Sequence, residues 1–243
     1  MRSLCADAAQ EKHLAKLIGL IRAKTLTGTE AWSSLSAPQS SKTFKLSNGT
    51  TKTVPFTPAE RKTYNTLRQL TQKKLLAQYG RACSYCRRPV GHYGYSWHIE
   101  HVLPKSIYPS LTFKLSNFTI GCVDCNRWKG ARVDKNVKNK KLLIINPLLP
   151  GFNYSNHLRY FQIGTEDISF AKYKPLSPEG IKTYDLLNLN EIERAHAINS
   201  VDPLAAALHE RFTQAMSAGL NSSSSQEFLD LLSQLKTSIY KRT

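Results

Sequence analysis

The stretch SWHIEHVLPKS, residues 96–106, places two histidines around a glutamate. It lies between two cysteine pairs, Cys83-x-x-Cys86 before it and Cys122-x-x-Cys125 after it, and Asn126 follows the second pair directly. On an extended strand alternate side chains share a face, so His98 and Glu100 point one way and His101 the other. Glu100 and His101 are therefore expected to serve different partners. A carboxylate suits a hard cation such as Mg²⁺ or Mn²⁺. An imidazole titrates close enough to neutrality to take a proton from water. Hydrolysis of a phosphodiester needs both, a cation against the leaving oxygen and a base for the attacking water.

The cysteines read separately. Each CxxC has the spacing that grips tetrahedral zinc, and a four-thiolate shell leaves no open position, so Cys83, Cys86, Cys122 and Cys125 are expected to hold a structural ion. Disulfides or free thiols are the alternative, disfavoured if the chain stays in a reducing compartment. The 35 residues between the pairs leave room for a hairpin that carries HIEH. Drawn against that hairpin by the second knuckle, Asn126 is expected to be the second oxygen ligand, with His98 a ligand or a support for Glu100. Arg127 and Lys129 lie near the same helical turn and are expected to steady charge on the phosphate. Asn117 is expected to hold the His101 loop through backbone hydrogen bonds. Cys5, His92, His157, His196 and His209 read as structural residues.

Across the 243 residues, 34 Lys and Arg face 17 Asp and Glu, a net charge of +17. Such a field attracts polyanions, nucleic acids first. A solvated face or anionic lipid is the plainer alternative. The run RWKGARVDKNVKNKK, residues 127–141, sets seven Lys or Arg against Asp134. Arg132, Lys135 and Lys138 are its expected nucleic-acid contacts, beside Arg127 and Lys129. No apolar run approaches the ~18 residues that cross a bilayer, and no apolar block of a signal peptide follows Met1, so a cytoplasmic location and no membrane partner are expected.

Leu14, Leu17, Ile18 and Ile21 predict an amphipathic helix over 11–24. Alternation around Asn48-Gly49 predicts a hairpin over 43–54. Thr57-Pro58-Ala59-Glu60 is a capping box, from which a helix is expected to run to about Tyr79 and stop at Gly80. Strands near 95–102 and 117–121 precede a helix opening around Asp124, and further helices are expected over 178–199, 202–217 and 226–240. The hexapeptide TFKLSN occurs at 43–48 and again at 112–117, with unrelated flanks and no period, so no duplication is inferred.

At these residues the chain resembles the HNH nucleases, the ββα-metal or His-Me finger group. Cys83/Cys86, Glu100-His101, Asn117, and Cys122/Cys125-Asn126 with Lys129 match that group's pattern, Asn126 standing where the third letter is often His. The resemblance implies an α+β fold: a zinc-stabilised ββα-metal HNH core flanked by N-terminal and C-terminal helices. It implies His101 as general base, Glu100 and Asn126 as ligands of one divalent cation, Mg²⁺ ahead of a softer ion, and products with a 5′-phosphate and a 3′-hydroxyl. On that basis residues 1–57 are expected to form an N-terminal helix and hairpin extension, 58–146 the nuclease core with its zinc ribbon, and 147–243 a mainly helical region. RACSYC, HIEHVLPKSIYPSLTF and EGIKTYDLLNLNEIERA extend the likeness to the PtuB-type subfamily of Septu and retron-linked anti-phage systems. That likeness implies a PtuA-type ABC ATPase partner, and a retron reverse transcriptase with its DNA–RNA product as a further one. Two rival readings stand beside it. A zinc-stabilised nucleic-acid-binding module without catalysis leaves Glu100, His101 and Asn126 unexplained. A nuclease for RNA, such as tRNA, keeps the chemistry and changes the target.

Overall fold

The computed structural model describes residues 4–45, 49–92, 94–133, 142–164 and 169–195. They divide into two units, one formed by the chain up to Leu158 with Pro175–Leu189, the other by Arg159–Lys174 with the chain from Asn190 on.

The first unit starts from three capped helices. Asp7 caps α1 (Ala8–Arg22) by accepting from the Gln10 amide, and Leu14 and Leu17 turn inward. Thr27 and Glu30 form a capping box on α2 (Gly28–Ser36), a helix the sequence pattern did not flag. The expected capping box of Thr57 and Glu60, with Pro58 behind it, opens α3 (Pro58–Gln78). Gly80 ends it at φ +60, where the Arg81 amide returns to the Leu76 carbonyl at 3.1 Å; a left-handed residue is how a helix end satisfies its last carbonyls. Between α2 and α3 run β1 (Ser41–Lys45) and β2 (Thr51–Pro55), paired antiparallel with Lys45 opposite Thr51. Leu17, Leu35, Phe44, Val54, Tyr64 and Leu67 share one core with Phe113 from beyond residue 58. The boundary expected at residue 57 thus falls inside a continuous core, because no one of these amphipathic faces is buried without the others.

The hairpin with HIEH follows. β3 (Trp97–His101) pairs antiparallel with β4 (Phe118–Cys122), setting Trp97 opposite Cys122, Glu100 opposite Thr119 and His101 opposite Phe118. Cys122 then caps α4 (Val123–Lys129), its sulfur accepting from the Cys125 amide. Two strands and this helix complete the ββα arrangement. Later in the same unit comes α5 (Pro178–Leu186), whose Thr183 hydroxyl accepts from the Ile145 amide at 2.9 Å.

In the second unit β5 (Leu158–Gly164) and β6 (Ser169–Pro175) form a hairpin, on which Tyr160 and Tyr173 stack at 4.7 Å. Glu193 on α6 (Leu189–Ala195) accepts from the Tyr173 amide at 2.7 Å and pairs with Lys172 at 3.1 Å. The described part of residues 147–243 contains this hairpin as well as α5 and α6. The helix expected over 178–199 is two helices, α5 and α6, parted near Asn188, whose φ of +46 is a left-handed conformation that asparagine tolerates and a continuous helix does not. The helices expected over 202–217 and 226–240 lie outside the described residues.

Candidate active site

The four knuckle sulfurs lie within 4.8 Å of one another, all buried. Cys86 Sγ and Cys122 Sγ are 3.7 Å apart. A disulfide closes at about 2.05 Å, whereas thiolates about 2.3 Å from a central zinc sit about 3.8 Å apart at the corners of a tetrahedron. The spacing fits an ion and not a bond. Around it, Arg88 Nη2 stands 3.5 Å from Cys122 Sγ and 2.8 Å from Asp124 Oδ2, and its guanidinium covers the Tyr95 ring at 4.0 Å. Tyr154 Oη donates to the Tyr85 carbonyl at 3.0 Å, fastening the first knuckle from outside. These partners hold buried ligand charge in place, which is what a structural metal site requires. Cys5 is buried in the helical core, away from this cluster.

The strand register then distributes the HIEH side chains. His98 and Glu100 face a cleft of about 350 Å³, whose other walls include Asn126, Lys105, Arg68 and Trp32. Asn126 Nδ2 donates to His98 Nδ1 at 2.8 Å. Gly121 lies between: a Cβ there would meet Glu100 Cβ at 3.2 Å and Asn126 Cβ at 3.8 Å. The missing side chain lets a carboxylate from β3 and an amide from α4 face one another across the hairpin. Two side chains that can offer oxygen, lining one cleft with an imidazole beside the amide, suit a hard divalent cation that keeps several waters.

Glu100 is 5% exposed, and burial raises its carboxyl above the ordinary carboxylate range while Lys129 opposes. The Lys129 ammonium lies 2.6 Å from Glu100 Oε1 and donates to the His101 carbonyl at 2.8 Å. At 1% exposure Lys129 cannot touch nucleic acid. Its expected role as a surface phosphate contact is corrected to that of an internal counter-ion. The cause is helical spacing: Cys125 and Lys129 are four apart on α4, so the thiolate that faces the zinc cluster carries Lys129 inward with it. Arg127 does reach solvent, its side chain 70% exposed. Arg132 is exposed and donates to the Leu186 carbonyl at 2.7 Å, while Lys135 and Lys138 lie outside the described residues.

His101 points to the other face, as alternation demands. Its Nε2 is 2.9 Å from the Thr112 carbonyl. A carbonyl only accepts, so Nε2 carries the proton and Nδ1 keeps the lone pair of a base. The ring packs edge-on against Trp32 at 4.5 Å and Phe118 at 5.0 Å. Burial, with Lys105 and Lys129 nearby, lowers its pKa to about 3, against the pull of the Thr112 carbonyl, so the ring is neutral at pH 7. The residue is 3% exposed, with Trp32 and Phe118 against the ring. Asn117 fixes the His101 loop: Oδ1 accepts from the Leu103 amide at 2.8 Å, and Nδ2 donates to the Leu103 carbonyl at 3.0 Å.

Sequence reasoning missed Lys105, Arg68 and Trp32 in the cleft wall. Lys105 stands in the motif itself, four residues after His101. Arg68 and Trp32 come from helices far away in sequence and carry no local signal.

Residues 83–132 match the family model for HNH endonuclease, the segment that holds both knuckles, the hairpin and α4. Over that segment the ββα arrangement and the paired knuckles are similar to HNH endonucleases. The chain is also similar to Septu protein PtuB of Bacillus thuringiensis, with 32% identity over 120 residues that cover 49% of this chain and 41% of the relative. The match thus spans less than half the length of that relative. No solved structure matches the chain. Among the described residues no helix is long and apolar enough to cross a membrane.

Proposed function

We propose that the chain is a metal-dependent endonuclease that hydrolyses nucleic-acid phosphodiester bonds, DNA ahead of RNA. The observation that carries the reading is the division of labour on β3: Glu100 lines one cleft with His98 and Asn126, while the neighbouring His101 is held as a neutral, single-tautomer base. Glu100 and Asn126, with His98, would hold Mg²⁺ or Mn²⁺; when bound, such a cation offsets charge on the leaving oxygen. His101 Nδ1 takes the proton of the attacking water, and the Thr112 carbonyl steadies the imidazolium that forms. Asn117 keeps the loop from drifting during that transfer. Arg127 and Arg132 supply phosphate-binding charge outside the cleft, and in sequence Lys135 and Lys138 continue the same basic run. A non-catalytic binding module would not require a glycine between a buried glutamate and an asparagine.

Similarity to the Septu protein supports a place in an anti-phage system with a PtuA-type ABC ATPase. A retron reverse transcriptase and its DNA–RNA product are the further partners that the resemblance suggests. The testing experiment incubates the full chain, alone and with the ATPase, with plasmid, single-stranded DNA and tRNA in Mg²⁺. Cleavage leaving 5′-phosphates, lost in His101→Ala while binding persists, is the expected result. Binding without cleavage by either protein on every substrate refutes it, and 2′,3′-cyclic RNA ends would move the reaction to a ribose hydroxyl.

A further inference from the structure

Resting on the nuclease reading, we propose that Lys105 is the cation that meets the scissile phosphate. Lys105 lines the cleft together with Glu100, His98 and Asn126. Two lysines lie near Glu100, and their circumstances are opposite. Lys129 is fully buried and bound at 2.6 Å to Glu100. Lys105 is half-buried, and its ammonium makes no hydrogen bond or ion pair with any described residue. The other fixed cation of the cleft, Arg68, is engaged through Nη1 with the Ser36 carbonyl at 2.6 Å.

The backbone under Lys105 is held on both sides. Asn117 clamps Leu103, and the Ile107 and Tyr108 amides both return to the Pro104 carbonyl, at 3.0 and 2.8 Å. The Lys105 carbonyl packs so closely on α2 that a Cβ on Gly28 would stand 2.3 Å from it. A rigid loop therefore presents an unpaired ammonium to the space beside the candidate metal ligands. Drawing an ammonium partly out of water without a partner is costly. A non-bridging phosphate oxygen entering the cleft supplies the missing acceptor.

In the reaction the water oxygen bonds to phosphorus as the bond to the leaving sugar oxygen breaks. The water proton passes to His101 Nδ1, and the leaving oxygen takes a proton from solvent. Lys105 keeps its own proton throughout and donates a hydrogen bond to an equatorial oxygen whose negative charge grows. A donor already in position when charge develops is worth about 10²–10³ in rate.

The test compares the parent chain with Lys105→Met, Lys105→Gln and Lys105→Arg, with the ATPase present where cleavage needs it. Single-turnover rates at saturating oligonucleotide are read against dissociation constants measured in a His101→Ala background. The expected result is a loss of about 10²–10³ in the saturating rate for Met and Gln, dissociation constants within about threefold, and recovery of at least tenfold by Arg. A rate equal to the parent's, a loss confined to binding, or variants that shed zinc and melt early would each overturn the assignment and leave the nuclease reading standing. Failure of the parent chain to cut any substrate would overturn both.

Discussion

Replacing Lys129 by Met tests the site from inside. In the parent, the Lys129 ammonium is 2.6 Å from a carboxylate whose side chain is only 6% exposed, and its own side chain is 1% exposed. Methionine fills similar volume without charge, so the change strands Glu100. Removing one partner of a buried pair typically costs about 3–5 kcal/mol. The carboxyl can escape by taking up a proton, which sets the scale at pH 7. From its ordinary value of 4.5, protonation costs about 1.4 kcal/mol per pH unit, about 3.4 kcal/mol in all. The sign follows from burial: with Lys129 gone the folded carboxyl holds a proton that the unfolded one releases, so the variant loses stability as pH rises above 4.5. Because burial already raises this carboxyl in the parent, about 3.4 kcal/mol is the ceiling of the deficit, and that ceiling falls to about 1.4 kcal/mol at pH 5.5. Urea unfolding of both proteins at the two pH values, without added divalent cation, measures this. Adding Glu100→Gln to Lys129→Met should recover most of the pH 7 deficit. A Lys129→Met protein within about 0.5 kcal/mol of the parent, yet weakened on nucleic acid, would refute the burial argument and return Lys129 to the surface.

Cys83→Ser should lose bound zinc and unfold at markedly lower urea, since metal affinity in such sites is folding free energy; elemental analysis with a melting curve checks it, and an unchanged melt would show that the cluster is not structural. Gly121→Ala should weaken Mn²⁺ binding in a His101→Ala background more than it weakens the fold, because the new methyl meets Glu100 Cβ at 3.2 Å; overpacking of this kind costs about 1–3 kcal/mol. Equal Mn²⁺ affinity in a titration would separate Gly121 from the metal site.

What could be read from sequence was what is local. α3 has its capping box, its proline at the first position and its glycine stop, and its bounds follow from them. The knuckles were legible because zinc geometry imposes the CxxC spacing, and the hairpin because HIEH alternates. Three things were not legible. α2 carries Thr27 and Glu30 at capping spacing but only a short apolar pattern. Lys129 reads as one more member of a basic run; only the inward turn of Cys125 shows which side of α4 it occupies. TFKLSN shows the limit most directly: Thr43, Phe44 and Lys45 lie in β1, whereas their counterparts Thr112, Phe113 and Lys114 lie in the turn between the 3₁₀ segments Pro109–Leu111 and Leu115–Asn117. The same three residues take their conformation from what surrounds them, pairing with β2 in one case and lying in the loop that Asn117 clamps in the other. His101 was expected at a water-facing position; Trp32, nearly seventy residues earlier, covers it, and no pattern near either residue foretells that contact.

The account turns on two metal ions with separate duties. Anomalous diffraction from His101→Ala crystals grown with an oligonucleotide and Mn²⁺ tests it most directly. The expected result is a zinc peak enclosed by Cys83, Cys86, Cys122 and Cys125, and a distinct manganese peak touching Glu100, Asn126 and a phosphate oxygen. Manganese bound elsewhere, or a phosphate seated away from Glu100, would contradict it.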